Sequence, residues 1–494
     1  MTGPDELSHR EYRSVMRLAR VYTVGVPNFD HLLDFQRTSA DAKYRQMTRQ
    51  PVAGLILRLS VPAVVSNLVT TAYNLTDTYF IGRLGTSQSG AIGIAFSVMT
   101  IMQALGFFFG NGAGNSMSRE LGKQNNNRAL RLLSIGFVGA ISAGLLIAVV
   151  GLSTLHDLVF MLGSTPTIAP FAVDYLTPML CAAPMVCGSF ALNGLLRYQG
   201  QSAFGMVGLV SGALLNFILA PLFIFVFGMG IVGAGLATAI CQTLSFVILT
   251  VLSARFGVLK LDVRRCVPDV LLVREIIGGG LPSLIRQSAG SIAVTCVNLA
   301  ANPFGDAVIA AMAIVMRVML ATNSIVVGLG QGFQPVCGYN FGAGLFDRVK
   351  SGYWFCVRLA TLGLLMLAVL IWICAPDLVA LFRSDPTVIA VGTKALRIQS
   401  LTVALNGFNM MSNMMQQTMG KTMVASFLAL CRLGLFLAPA VLILSRLIGV
   451  LGVQMAQSVS DVLTFVVTIP LQRRILLDLP LRRLPGRMPL RRRG

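Results

Sequence analysis

Long apolar runs separated by short polar stretches dominate the chain from about residue 55 to residue 470. The runs fall at 55–81, 91–117, 131–153, 168–194, 204–228, 231–254, 275–301, 307–334, 352–374, 388–416, 423–445 and 449–470. Each is about 20 residues or longer, the length a helix needs to cross a bilayer core of ~30 Å. None alternates apolar and polar positions strictly, which argues for helices rather than barrel strands. The pattern therefore predicts an all-α polytopic membrane protein with twelve transmembrane helices. Residues 1–50 are polar, mixed in charge and without an apolar core, so a cleaved signal peptide is not expected there.

A shift of 220 residues brings the chain into register with itself. Pro62 falls on Pro282, Gly85 on Gly305, Ala91 on Ala311, Gly112 on Gly332, Gly122 on Gly342, Arg128 on Arg348 and Gly200 on Gly420. Asp157-Leu158-Val159 recurs as Asp377-Leu378-Val379, and Pro166-Thr167 as Pro386-Thr387. Two halves of six helices follow. Six is even, so both insert the same way up, related by a pseudo-two-fold axis along the membrane normal. The expected organisation is a polar cytoplasmic segment at 1–50, six-helix bundles at 51–260 and 261–472, and a basic tail at 473–494. Such a pair of bundles leaves a cleft between them, a design suited to alternating access.

Composition agrees. Of 494 residues, 55% are hydrophobic and 12% charged, against roughly 25% charged in soluble domains. The net charge of +20 invites a nucleic-acid reading, but its distribution points to a membrane. Arg119, Lys123, Arg128 and Arg131 follow the second run; Arg255, Lys260, Arg264, Arg265 and Arg274 follow the sixth; Arg348, Lys350 and Arg358 follow the eighth. The opposite loops offer only Arg83, Arg383 and Arg446. By the positive-inside rule the even-numbered loops and both termini are cytoplasmic. Arginines 473, 474, 482, 483, 487, 491, 492 and 493, against Asp478 alone, make a tail suited to anionic lipid. No nucleic-acid partner is expected.

Catalytic chemistry finds little support. The nine cysteines lie mostly in apolar runs and form no CxxC pair, and His9, His31 and His156 are scattered, so neither a disulfide framework nor a metal site is expected. No Walker A motif is present. Gly328-Leu329-Gly330-Gln331-Gly332 sits inside an apolar run without a preceding strand, which favours close helix packing over a phosphate loop. An integral membrane enzyme acting on lipids would need a cluster of acids or histidines at an interface, and the sequence displays none.

Acids within spans are costly and mark function by default. Asp77 lies in the outer part of the first run, with Tyr73 one turn earlier. A carboxyl group in a low-dielectric cavity holds its proton more readily than one in water, which suits proton exchange; a water-facing helix end is the alternative. Asn216 in the fifth run and Thr238 in the sixth are polar positions of the kind that tie helices together. Asp461 in the twelfth run is expected to pair with a nearby arginine or face the cytoplasmic vestibule. Arg286, Arg317 and Arg432 also lie at membrane depth. If they line the cleft, an anionic or lipid-linked cargo gains weight. The tenth run interleaves amides and methionines: Asn406, Asn409, Met410, Asn413 and Met414. Methionine adapts to varied ligands, so this stretch reads either as packing or, with Gln287 and Asn298 of the seventh run, as a substrate-cavity wall.

Over roughly residues 50–470 the chain resembles the multidrug and toxic compound extrusion (MATE) family. Asp77-Thr78, Leu121-Gly122-Lys123 and Leu196-Arg197-Tyr198-Gln199-Gly200 carry the resemblance, together with Asn216 to Pro221, Gln334-Pro335 and Gly338-Tyr339-Asn340-Phe341-Gly342-Ala343. The resemblance implies a cation site in the N-terminal half, with Asp77 as the coupling acid and Tyr73, Asn216 and Thr238 as its polar neighbours. It further implies an antiporter, not an enzyme, without a bound cofactor. Such a protein exports amphiphilic, often cationic organic compounds in exchange for H⁺ or Na⁺, as a monomer surrounded by lipid in a plasma or bacterial inner membrane. In the family the helix 5 segment commonly carries a second aspartate just before the proline, where this chain has Ala220. Only Asp77 then remains of the usual coupling acids, which favours H⁺ over Na⁺. The rival transporter reading is a flippase for lipid-linked precursors.

Overall fold

The computed structural model describes residues 40–261, 266 and 269–480. The polar segment before residue 40, Arg264, Arg265 and the arginines from 482 onward lie outside the described residues. The described residues fold into helices, with no strand among them.

Twelve spans follow in chain order: α1 Val52–Gly82, α2 Thr86–Gly122, α3 Asn126–Ser153, α4 Ala169–Cys181 continued by Ala183–Tyr198, α5 Ser202–Pro221 extended by Leu222–Val226, and α6 Gly230–Phe256. The second set is α7 Val270–Ala301, α8 Asp306–Gly342, α9 Phe346–Ala380 and α10 Pro386–Val403 continued by Leu405–Thr418. It ends with α11, Thr422–Leu430 through Cys431–Leu437 to Ala438–Ile448, and α12 Val450–Asp478. Among the described residues nine of these are long and apolar enough to cross a membrane in one piece, and α4 and α10 qualify as bent spans. The twelfth, α7, is long enough at 32 residues but carries Arg274, Glu275 and Arg286.

The bends refine the expected continuous runs. α4 turns by 57° and α10 by 53°. In α4 the cause is local: Pro184 follows the break at Ala182, lacks an N–H and crowds the preceding turn. In α10 the break at Ala404 precedes Gly407, whose missing side chain lets the helix lie against the backbone of Thr361. Helix ends also overrun the apolar runs, as in α2 and α9, because the polar residues flanking them continue the backbone hydrogen bonding. Side chains cap several starts: Asn125 accepts from Arg128 N at 3.3 Å, Asp269 from Leu271 N at 3.0 Å, and Asp385 from Thr387 N at 2.8 Å.

Packing explains the internal repeat. α1 crosses α8 and α2 crosses α7, two pairings that the 220-residue shift interchanges. Gly112 lies against the backbone of Ile276 and Gly280, and its counterpart Gly332 against the backbone of Ser60. Gly122 meets the Tyr339 carbonyl, and its counterpart Gly342 meets that of Arg119. A Cβ at any of the four would collide with backbone, so the repeated glycines are the points where the halves touch. Gly85 and Gly305 recur for another reason: each precedes a helix with positive φ, 148° and 91°. The lipid-facing surface repeats too. Leu145, Leu146 and Val149 of α3 are exposed, and so are Leu365, Met366 and Val369 of α9.

Polar ties between the halves gather toward one end. Asn111 Nδ2 donates to Ser283 Oγ at 2.9 Å, Thr418 Oγ1 to Asn115 Oδ1 at 2.8 Å, and Arg119 Nη1 to Thr418 O at 2.7 Å. Arg131 pairs with Asp269 at 3.4 Å and Arg128 with Glu275. Along α1 and α8 the contact continues through Ser60 Oγ to Leu329 O at 3.2 Å and reaches Thr71 Oγ1 and Ser324 Oγ at 3.3 Å. Residues 40–49, the end of the polar N-terminal segment, form a short helix that packs Met47 and Lys43 against Gly200. Asn340 Nδ2 also donates to Met47 O at 3.1 Å. Burial beside Arg58 lowers the Lys43 ammonium to about 8.

Candidate functional site

Four polar side chains meet inside the N-terminal bundle, brought there by three helices. Asp77 and Tyr73 are one turn apart on α1, Asn216 projects from α5, and Thr238 from α6. Asp77 is 6% exposed and Thr238 0%, so the carboxyl near the C-terminal end of α1 is buried and does not face water. Thr238 is the hub. Its Oγ1 donates to Asp77 Oδ2 at 3.3 Å and accepts from Tyr73 OH at 3.5 Å and from Asn216 Nδ2 at 3.5 Å. All four sequence-singled residues of this group are thus in one network. Gly233 and Gly235 let α6 approach its neighbours closely. A Cβ at Gly235 would meet the Tyr175 carbonyl at 2.6 Å, and one at Gly233 that of Phe223 at 2.8 Å.

Two features of this network were not legible beforehand. Tyr175 of α4 is fully buried, within reach of Asp77 and Thr238. A single tyrosine in an apolar helix carries no distinguishing signal in the sequence. Asn216 Oδ1 is buried without a partner. Ala220, one turn after Asn216, is buried among the same apolar residues as Tyr73. Asp77 is therefore the one carboxylate of the network among the described residues. Beside it, a cavity runs between α1, α2, α4, α5 and α6, with Tyr73, Gln103 and Gln242 on its wall.

The residues singled out in the C-terminal half separate. Asn406, Asn409, Met410 and Asn413 line a second cavity. Met414 instead packs against Gly330 of α8, Asn298 is exposed and Gln287 half-buried, and none of these three lines that cavity. Arg286 and Arg432 do line it, while Arg317 is exposed on α8. Arg432 Nε pairs with Asp461 Oδ1 at 2.8 Å, and Gln457 Nε2 donates to the same oxygen at 3.0 Å. Of the glycines at 328–332, Gly328 packs on Val64 and Gly332 on Ser60, so the motif serves the α1–α8 crossing. Among the described residues no group of three or more His, Cys, Asp or Glu is placed to hold a metal ion.

Comparison with known proteins converges on one family. The MatE family model matches twice, at residues 62–222 and 282–442, so its second match begins at the residue that the internal repeat pairs with the first. The multidrug export protein MepA of Staphylococcus aureus (strain MRSA252) is 27% identical over 422 residues, covering 84% of this chain and 92% of its own. MepA of Staphylococcus haemolyticus (strain JCSC1435) is 26% identical over 432 residues, covering 86% and 94%. Among solved structures, an outward-facing multidrug resistance MATE family transporter of the MOP superfamily superimposes with a TM-score of 0.84 at 23% identity, over 88% of this chain and 98% of that one. With two family-model matches spanning both bundles and a shared twelve-helix fold, the chain belongs to the MatE family of multidrug and toxic compound extrusion transporters.

Proposed function

We propose that the protein is an H⁺-coupled antiporter that exports amphiphilic organic compounds by alternating access, with Asp77 as the proton-exchanging group. The observation that carries this reading is the single buried carboxylate in a network of neutral hydroxyls and an amide. Dehydrating Na⁺ is costly, and one carboxylate with neutral oxygens offsets that less well than two would; a proton needs only one acceptor.

The network also supplies a response to protonation. Ionised Asp77 accepts from Thr238 Oγ1. Once protonated, Asp77 becomes a donor toward Thr238, whose oxygen already accepts from Tyr73 and Asn216. Thr238 must then release one of these donors and redirect its own proton. Asn216 Oδ1, buried and unpartnered, is the acceptor at hand. Proton uptake at α1 thus shifts hydrogen bonds to α5 and α6, the elements that wall the adjacent cavity.

The loop charges support one orientation of the molecule. The end where Arg119, Arg128 and Arg131 tie the halves together is the cytoplasmic one by the positive-inside rule. That end then faces the cytoplasm, and Asp77 lies on the outward side. Both termini are cytoplasmic, and the protein works as a monomer.

Asp77→Asn tests the reading. The substitution keeps size and hydrogen-bonding capacity but removes the titrating group. Purified and reconstituted, it should bind cargo and lose uphill, pH-driven transport. Wild-type accumulation by Asp77→Asn at equal protein level would refute the role.

A further inference from the structure

The cavity of the C-terminal half carries a charge pattern that the proton-exchange network does not use. Two guanidinium groups border it, Arg286 from α7 and Arg432 from α11. Arg432 is neutralised by Asp461 at 2.8 Å. Arg286 is not: its Nη1 donates to Asn413 Oδ1 at 3.3 Å and its Nη2 to Ser283 Oγ at 3.4 Å, both neutral and both long. Tyr198 and a second guanidinium, Arg197, lie within electrostatic range of it. Arg197 donates in turn to a neutral acceptor, Asn111 Oδ1, at 2.8 Å and lies over the Tyr198 ring at 5.2 Å. Among the described residues, no carboxylate pairs with either.

Cations held inside a protein are normally matched by an anion. Here the match is missing beside a cavity that the guanidinium itself lines. Two of its lining residues carry an unpaired acceptor: Asn406 and Asn409, 1% and 5% exposed, each have an Oδ1 lacking any partner. Leu428 and Leu433 complete an apolar wall. The position is also far from the helix end, since Arg286 is 16 residues into α7, about 24 Å along the helix.

We infer that this cavity binds an amphiphilic organic anion, whose acidic group engages Arg286 and whose hydroxyl or amine donors reach Asn406 and Asn409. A cationic cargo would add a further positive charge where Asp461 is already committed to Arg432. The assignment rests on the exporter reading only in calling the ligand a cargo. The binding site itself stands or falls without any ion gradient.

The test is equilibrium binding to the purified full chain in neutral detergent, using fluorescein and rhodamine 123. The two dyes share the xanthene scaffold and differ in the sign of charge. Fluorescein should bind at least tenfold more tightly. Arg286→Gln should weaken fluorescein by about tenfold or more and leave rhodamine 123 unchanged, and Arg286→Lys should retain most of the affinity. Should Arg286→Gln fail to fold, Leu433→Trp, which fills the cavity from its apolar wall, should abolish fluorescein binding instead. Equal or stronger binding of rhodamine 123 overturns the inference, as does fluorescein affinity indifferent to Arg286→Gln and Leu433→Trp. Displacement of fluorescein by an equal concentration of phosphatidylglycerol overturns the free-anion assignment in favour of a lipid headgroup. Fluorescein binding without pH-driven transport would overturn proton coupling and leave this site standing.

Discussion

Asp461→Asn separates the two acids at membrane depth by what each is bonded to. Asp461 is 3% exposed, and one of its oxygens takes both Arg432 Nε and Gln457 Nε2. Neutralising it leaves the Arg432 charge half-buried without a counter-ion. Removing one partner of a buried pair costs about 3–5 kcal/mol. The lower end, about 3 kcal/mol, applies here. The Arg432 side chain keeps 16% of its exposure, and an asparagine oxygen can still accept from Nε. Arg432→Gln should be similarly costly, because it strands the carboxylate. The double variant Asp461→Asn/Arg432→Gln pairs two neutral amides and should lose less than either single change, a non-additivity that a double-mutant cycle reads directly. Unfolding in detergent followed by a thiol-reactive dye suits the protein, since Cys431 is buried next to Arg432. Strictly additive losses, or a single variant within about 0.5 kcal/mol of wild type, would refute the pairing. Asp461→Asn should also keep pH-driven transport per folded molecule; its loss would make Asp461 a second coupling acid.

Further tests address the neighbouring features. Ala220→Asp places a second acid one turn from Asn216, and reconstituted protein should then show Na⁺-dependent transport that the unaltered chain lacks; unchanged ion dependence would detach Ala220 from the site. Gly112→Leu and Gly332→Leu each force a side chain into backbone at equivalent crossings. Each should destabilise the folded protein by about 1–3 kcal/mol or more, and a neutral effect in a thermal-unfolding assay would contradict the packing account of the repeat.

The spans were legible because lipid and protein interior are both apolar, so burial against either leaves the same long runs. The halves were legible because the same crossings recur, and a helix crossing that excludes a Cβ fixes glycine at a set register, as at Gly112 and Gly332. Helix bends were less so. Pro184 does announce the break in α4, whereas α10 bends at Ala404 with no proline, through tertiary contact of Gly407. In the site, Asp77 stood out because a carboxylate in an apolar run is rare. Tyr175 did not, because a tyrosine there looks the same whether it packs or faces a carboxylate. The C-terminal cavity was half legible. The amides at 406, 409 and 413 share a face by helical spacing, but that Arg286 joins them while Gln287 and Asn298 do not depends on how α7 is rotated against α10, which no local pattern records.

The most direct test of proton coupling through one carboxylate is steady-state cargo accumulation in proteoliposomes, with the membrane potential clamped at zero and H⁺ and Na⁺ gradients imposed separately. One exchangeable proton per cycle is worth 1.36 kcal/mol per pH unit, so each unit should support about a tenfold cargo gradient. The account predicts that slope with H⁺ and a flat response to Na⁺. Accumulation that followed the Na⁺ gradient and ignored pH would contradict it.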